Sequence, residues 1–127
     1  MRIFKNKDFN KWAKKQKIKD GDLIDAIDEM NNGLYEASLG GEIYKKRLAY
    51  SNKSKQKGAR TILAFRIKKI AFFVYGFSKN EKDNITSGEE NALKLLASIY
   101  LNFNENEIKN AINTGKLIEV KNEKIDT

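Results

Sequence analysis

The sequence contains no cysteine, no histidine and no proline. Without cysteine and histidine, three classes are excluded: disulfide scaffolds, metal sites built on thiolate or imidazole, and Ser-His or Cys-His nucleophilic catalysis. Any acid–base chemistry must therefore use carboxylates, lysine or tyrosine. The absence of proline carries no functional prediction.

Long apolar runs are also absent, so no segment has the length and composition of a membrane span, and no apolar signal core follows the N-terminal charges. We therefore expect a cytoplasmic protein. A chain of 127 residues that is 40% apolar and 33% charged is typical of one globular domain, here 1–127. Residues 121–127 are predicted to be a frayed tail.

Positive charge is concentrated in one third of the chain. Residues 41–82 carry twelve Lys or Arg and two Glu, whereas the other 85 residues carry 13 basic and 15 acidic side chains. Such a field indicates a polyanionic partner, above all a nucleic acid. A solvated basic surface without a partner is the alternative.

Apolar periodicity and turn residues predict an α+β chain. The predicted elements begin with an edge strand at 1–4, a helix at 6–17 with Asp8 as N-cap, and a helix that runs from Asp20 to the Asn31-Asn32-Gly33 stop. A connector at 34–41 with a sharp Gly40-Gly41 turn leads to strands at 43–50, 60–67 and 70–77. Two helices follow, one opened by a Ser87-Gly88-Glu89-Glu90 capping box and one opened by Asn104 and Glu107, and the last element is a strand at 117–120.

Strand alternation places Leu63 and Phe65 on one face of the strand at 60–67 and Ile62 and Ala64 on the other, and the strand at 70–77, apolar on both faces, is predicted to be central and covered on both sides.

In the strand at 43–50, alternation places Lys45 and Arg47 on one face and Lys46 on the other. In an antiparallel meander with Arg60 on the next strand and the Lys79–Glu81 turn after the third, these cations converge. Such a surface suits RNA cleavage by a ribose 2′-OH, because Arg and Lys neutralise the pentavalent phosphate.

Proton transfer without histidine leaves three candidates: a lysine whose pKa is lowered by neighbouring cations, a carboxylate such as Glu81, or Tyr75. In the competing interpretation, Lys79 and Glu81 form a surface pair, and Lys45 and Arg47 only hold the loop. The residues alone leave both interpretations open.

Four segments in order carry a family resemblance: 39–41 (LGG), 43–49 (IYKKRLA), 58–66 (GARTILAFR) and 72–81 (FFVYGFSKNE). This ordered set resembles the RelE/HigB toxins of bacterial type II toxin–antitoxin modules, over almost the whole chain. The resemblance implies a small α+β fold of the RelE/ParE type, in which two N-terminal helices and the C-terminal helices pack on an antiparallel sheet. It also implies an endoribonuclease acting on mRNA on the ribosome, without cofactor or metal, and an antitoxin partner of the helix-turn-helix type.

The resemblance further implies the site residues. The family's catalytic positions fall on Lys45, Arg47, Arg60, Lys79 and Glu81. Residues expected to bind RNA are Lys46, Lys53, Lys55, Lys57, Tyr75 and Lys82. Where RelE-type members carry an arginine and a tyrosine after the strand-end lysine, this chain has Asn80 and, roughly, Thr86. Two other functions remain compatible with the fold: a ParE-like gyrase inhibitor and an inert antitoxin-binding regulator.

Overall fold

The computed structural model describes residues 1–49 and 58–121. The lysines at 53, 55 and 57 therefore lie outside the described residues, as does the predicted tail beyond Lys121. Ten elements follow in chain order: β1 (Arg2–Asn6), α1 (Lys7–Lys15), α2 (Asp20–Asn31), β2 (Ala37–Gly40), β3 (Ile43–Leu48), β4 (Ala59–Arg66), β5 (Ile70–Ser78), α3 (Ser87–Leu101), α4 (Glu105–Asn113) and β6 (Leu117–Val120).

The six strands form one sheet in the order β2-β3-β4-β5-β1-β6. The predicted α+β class and the antiparallel meander β3-β4-β5 are confirmed. The prediction that the first strand is an edge strand is wrong, because β1 lies between β5 and β6 and runs parallel to β5. Ile3 and Phe4 are buried on opposite faces of the sheet, as an interior strand requires.

The segment predicted as a connector contains β2, which pairs with β3 as the other edge of the sheet. Its four residues are too few for a clear alternation signal, so pairing with β3 is what makes them a strand. The predicted sharp turn is confirmed: Gly40 and Gly41 both have positive φ, at 86° and 64°. Glycine adopts this conformation without the steric cost that a Cβ would bring.

Helices cover both faces of the sheet, and two apolar clusters result. One cluster joins α1 and α2 to residues such as Leu63, Phe65 and Phe73. The other joins α3 and α4 to Ile62, Ala64 and Phe72, among others. Strand alternation thus predicts the two faces of β4 correctly, and β5 is the central, doubly covered strand that its apolar sequence predicts.

Helix starts are corrected at two places. Asn6, not Asp8, caps α1, because its side chain accepts a hydrogen bond from the Phe9 N–H. Thr86, one residue before the predicted Ser87, caps α3 in a reciprocal box with Glu89. The box of Asn104 and Glu107 at α4 is confirmed. Boundary errors of one or two residues arise because several adjacent polar side chains are chemically suited to cap.

Within the described ranges, no helix combines the length and apolar character needed to cross a membrane.

Trp12 on α1 lies directly against the backbone of Gly76 in β5. A Cβ on Gly76 would overlap the indole ring, so this position has room only for glycine. Trp12 also contacts Phe9, whose ring packs on Phe73 at a centroid distance of 5.1 Å. This contact fixes α1 against the strand that supports the site described below.

We expect Gly76→Ala to lower the free energy of unfolding by about 1–3 kcal/mol, because the added methyl group must displace the Trp12 ring. The matched control is Gly21→Ala in α2, where a Cβ meets nothing within 4 Å. That change should be neutral or stabilising by up to about 1 kcal/mol. Urea unfolding of both variants is the measurement, and equal stability of the two would contradict the packing argument.

Candidate nucleic-acid interface

The register of β3, β4 and β5 brings predicted site residues together. Two rows cross these strands: Lys45, Ile62 and Tyr75 in one, and Arg47, Arg60 and Phe77 in the next. Directly opposed residues in antiparallel strands point to the same side of the sheet. That side is the one covered by α3, since Ile62, Tyr75 and Phe77 all belong to its apolar cluster.

We call the surface formed by Lys45, Arg47, Arg60, Tyr75 and Lys82 the basic face. Arg47 and Arg60 are directly opposed, and Arg47 is exposed. Like charges at such positions repel one another. A carboxylate offsets this repulsion: the Arg60 Nε lies 2.9 Å from Glu36 Oε1 in an ion pair, and the Arg60 side chain is only 14% exposed.

The Arg60 guanidinium retains hydrogen-bonding capacity. Its Nη1 is buried and has no hydrogen-bond partner among the described residues. Buried donors of this kind are normally paired, and an anionic oxygen is the partner a guanidinium prefers. Arg60 is thus paired with Glu36, and its buried Nη1 is left without a hydrogen-bond partner among the described residues.

A second ion pair borders Tyr75. The Lys82 Nζ donates to Glu89 Oε2 at 2.6 Å, and the Tyr75 hydroxyl donates to the same oxygen at 3.3 Å. Lys82 also lies 5.2 Å from the centroid of the Tyr75 ring, within cation–π range. Hydrogen bonding, first from Lys82 and then from the Thr86 backbone, lowers the pKa of Glu89 to about 2.

Lys45 is connected to the same group through the loop that follows β5. Its Nζ donates to Asn84 Oδ1 at 3.4 Å, and Asn84 lies two residues after Lys82. The loop that carries Lys82 and Asn84 therefore contacts both β3 and α3. Lys82 lies against the Tyr75 ring, and Lys45 lies in the same row of residues as Tyr75.

Other predicted residues lie elsewhere. Lys46 points to the opposite side of the sheet, where its Nζ donates to Glu29 of α2 at 2.6 Å and its side chain is 8% exposed. Lys79 and Glu81 lie in an exposed turn after β5. The Glu81 carboxylate accepts a hydrogen bond from Ser78 Oγ at 3.0 Å. The ion pairs among the described residues do not join Lys79 to Glu81.

Three residues of this region were not predicted from the sequence: Glu36, Asn84 and Glu89. The capping box is a sequence signal for Glu89, but that motif predicts only a helix start. Glu36 and Asn84 lie in connecting segments without any motif, and only the fold brings them to Arg60 and Lys45. In residues 1–49 and 58–121 no cluster of carboxylates is arranged to hold a metal ion.

The depressed pKa of Glu89 predicts an acid-sensitive contribution to stability. The unfolded carboxyl titrates near 4.5 and the folded one near 2, so the ion pair stabilises the fold fully above pH 4.5. That contribution is lost as the pH falls from 4.5 towards 2. We expect the melting temperature of the wild type to fall more steeply over this range than that of Glu89→Gln. Thermal unfolding of both proteins at pH 6, 4 and 2.5 measures this difference, and melting temperatures that fall in parallel would show that Glu89 has no such role.

Comparison with known proteins identifies the family of the chain. A search of curated proteins finds no significant match to the chain. A family model described as the RelE toxin of the RelE/RelB toxin–antitoxin system matches residues 1–120. The match covers every helix and strand of the fold and all the residues of the basic face. The chain therefore belongs to the RelE toxin family of toxin–antitoxin systems, whose toxins have an antitoxin as partner.

Proposed function

We propose that this protein is an endoribonuclease that cleaves mRNA on the ribosome and so inhibits translation. Membership of the RelE toxin family supports the toxin role. The observation that carries the catalytic part is the placement of Lys45 and Arg47 on one side of β3, with Arg60 directly opposite Arg47 on β4. Three cations on one side of a sheet suit the binding of a phosphodiester from several directions.

The proposed reaction needs no metal. The ribose 2′-oxygen attacks the adjacent phosphorus and loses its proton to a base, and a bond to the 2′-oxygen forms. The bond from phosphorus to the 5′-oxygen breaks, and the 5′-oxygen takes up a proton. The products are a 2′,3′-cyclic phosphate and a 5′-hydroxyl. Negative charge accumulates on the phosphate in the transition state, where fixed cations stabilise it most.

Lys45, Arg47 and Arg60 are the groups proposed to bind and neutralise the phosphate. Arg60 suits this role because the ion pair with Glu36 orients its guanidinium beside Arg47, which lies directly opposite on β3. Tyr75 is the proton-transfer candidate closest to these cations in register, since it pairs through Ile62 with Lys45. Lys79 and Glu81 remain the candidates that the family pattern supplies at the end of β5.

The proposed partners are mRNA on the ribosome and an antitoxin of the helix-turn-helix type, with the toxin acting in the cytoplasm. A chain with a net charge of +8 is attracted electrostatically to the phosphate-rich RNA of the ribosome. The antitoxin type follows from the resemblance to the HigB branch, and identification of the neighbouring reading frame tests it directly.

We expect expression of the wild type to arrest bacterial growth, and Arg60→Ala or the pair Lys45→Ala/Arg47→Ala to relieve the arrest. Loss of a phosphate-stabilising donor lowers such reactions by roughly 10²–10³-fold. The matched control for the pair is Lys11→Ala/Lys15→Ala, which also removes two positive charges, but from exposed positions on α1. The measurements are growth after induction, and primer extension of a reporter mRNA incubated with purified protein and translating ribosomes.

Circular dichroism of each variant shows whether it folds. Arrest by the control pair with relief by the site pair would support the assignment to the basic face. A wild type that leaves mRNA intact in the presence of translating ribosomes would overturn the proposed activity. Inhibition of DNA supercoiling by gyrase in a parallel assay would then point to the ParE-like function.

A further inference from the structure

Glu89 makes more contacts than a helix cap requires. One carboxylate oxygen, Oε1, accepts the Thr86 backbone N–H at 2.8 Å, and the Glu89 N–H donates to Thr86 Oγ1 at 3.1 Å. These two bonds complete the capping box. The other oxygen, Oε2, accepts from both the Lys82 ammonium and the Tyr75 hydroxyl.

The second capping box of the chain shows what a cap alone looks like. At α4, the Asn104 N–H donates to Glu107 Oε1 at 2.9 Å, and the Glu107 N–H donates to Asn104 Oδ1 at 2.8 Å. Glu107 is exposed, and its side-chain hydrogen bonds within the described part of the chain do not extend beyond the box. The same motif therefore serves two purposes in this fold, and only at α3 does it reach the basic face.

We propose that Glu89 is a positioning residue for RNA cleavage, which holds Lys82 over the Tyr75 ring so that the Lys82 ammonium contacts the RNA backbone. This inference rests on the proposed endoribonuclease function. It assigns Lys82 the role of a fixed cation and not that of a base. Glu89 acts only through Lys82 and Tyr75.

The geometry leaves Lys82 able to bind a phosphate. An ammonium has three N–H donors, and Glu89 Oε2 uses one of them. The rings of Tyr75 and Phe77, at 5.2 and 5.9 Å, lie on another side of the ammonium. The side chain remains 31% exposed. A phosphate oxygen can therefore reach the ammonium from the solvent side without breaking the pair with Glu89.

The surroundings favour the protonated form of Lys82. The hydrogen bond that Lys82 donates to Glu89 and, after it, the one with Tyr75 raise the pKa of Lys82. Charged and titratable groups face this region from every adjacent element: Glu89 from α3, Tyr75 from β5, Lys45 from β3 through Asn84, and Glu81 and Asp83 from the loop itself. Because the hydrogen bond with Glu89 is the largest cause of the raised pKa, removal of the Glu89 carboxylate should lower the pKa of Lys82.

The test is Glu89→Gln, which retains an N3 side chain suited to the capping box but removes the negative charge. We expect it to reduce ribosome-dependent mRNA cleavage by about 10- to 100-fold, the range that displacement of a catalytic group causes. Lys82→Ala should reduce cleavage at least as much. Glu107→Gln is the matched control, and it should cleave mRNA at the wild-type rate.

A second measurement does not depend on cleavage. NMR titration of ¹³C-labelled lysine side chains follows Lys82, which is assigned by the loss of its signal in Lys82→Ala. We expect a lower Lys82 pKa in Glu89→Gln than in the wild type and no change in Glu107→Gln. A loss of helix capping alone would not move this titration.

The results separate the two proposals. An unchanged Lys82 titration in Glu89→Gln, wild-type cleavage by that variant, or an equal loss of cleavage in Glu107→Gln would each overturn the role of Glu89. Absence of cleavage by the wild type would instead overturn the proposed function and, with it, the catalytic part of this inference. The titration would still decide whether Glu89 raises the pKa of Lys82.

Discussion

Arg47 on β3 and Arg60 on β4 occupy directly opposed positions in antiparallel strands, which brings their Cβ atoms to about 5 Å from one another. Two guanidinium groups so placed repel each other, and Glu36 offsets the repulsion by pairing with Arg60. The rest of the basic face is arranged around this constraint. Strand register sets the positions of the side chains on β3, β4 and β5, and carboxylates from outside these strands pair with Arg60 and Lys82.

Carboxylates determine how the basic face is built. Glu36 orients Arg60, and Glu89 orients Lys82 and Tyr75, while Glu29 pairs with Lys46 on the opposite side of the sheet. A region with twelve basic side chains and two Glu of its own thus depends on acidic residues from outside it. The pair of Lys82 and Glu89 is about one-third exposed, so it orients Lys82 more than it adds stability.

Rigid support comes from β5 and the elements packed on it. Trp12 on α1 packs against Gly76 on one side of the strand, while Tyr75 and Phe77 point to α3 on the other. The register of β5 against β4 shifts between Ile62 and Leu63, so Val74 and Tyr75 both contribute to the cluster beneath α3. Packing on both faces thereby limits how far the Tyr75 hydroxyl can move.

Local patterns in the sequence were sufficient to predict the meander β3-β4-β5, the two faces of β4, the helices α2, α3 and α4 in position, and the side of the sheet shared by Lys45 and Arg47. Period-2 and period-3.6 alternation are properties of neighbouring residues, so sequence alone determines them. The absence of histidine and cysteine likewise determined which chemistry the face can perform. Only the tertiary structure decided that β1 lies inside the sheet and that residues 37–40 pair as a strand. It also decided three side-chain contacts: Glu36 with Arg60, Asn84 with Lys45, and Glu89 with Lys82. Those contacts join residues far apart in the chain or placed in segments without periodicity, and their partners are selected by packing and charge pairing once the sheet has formed.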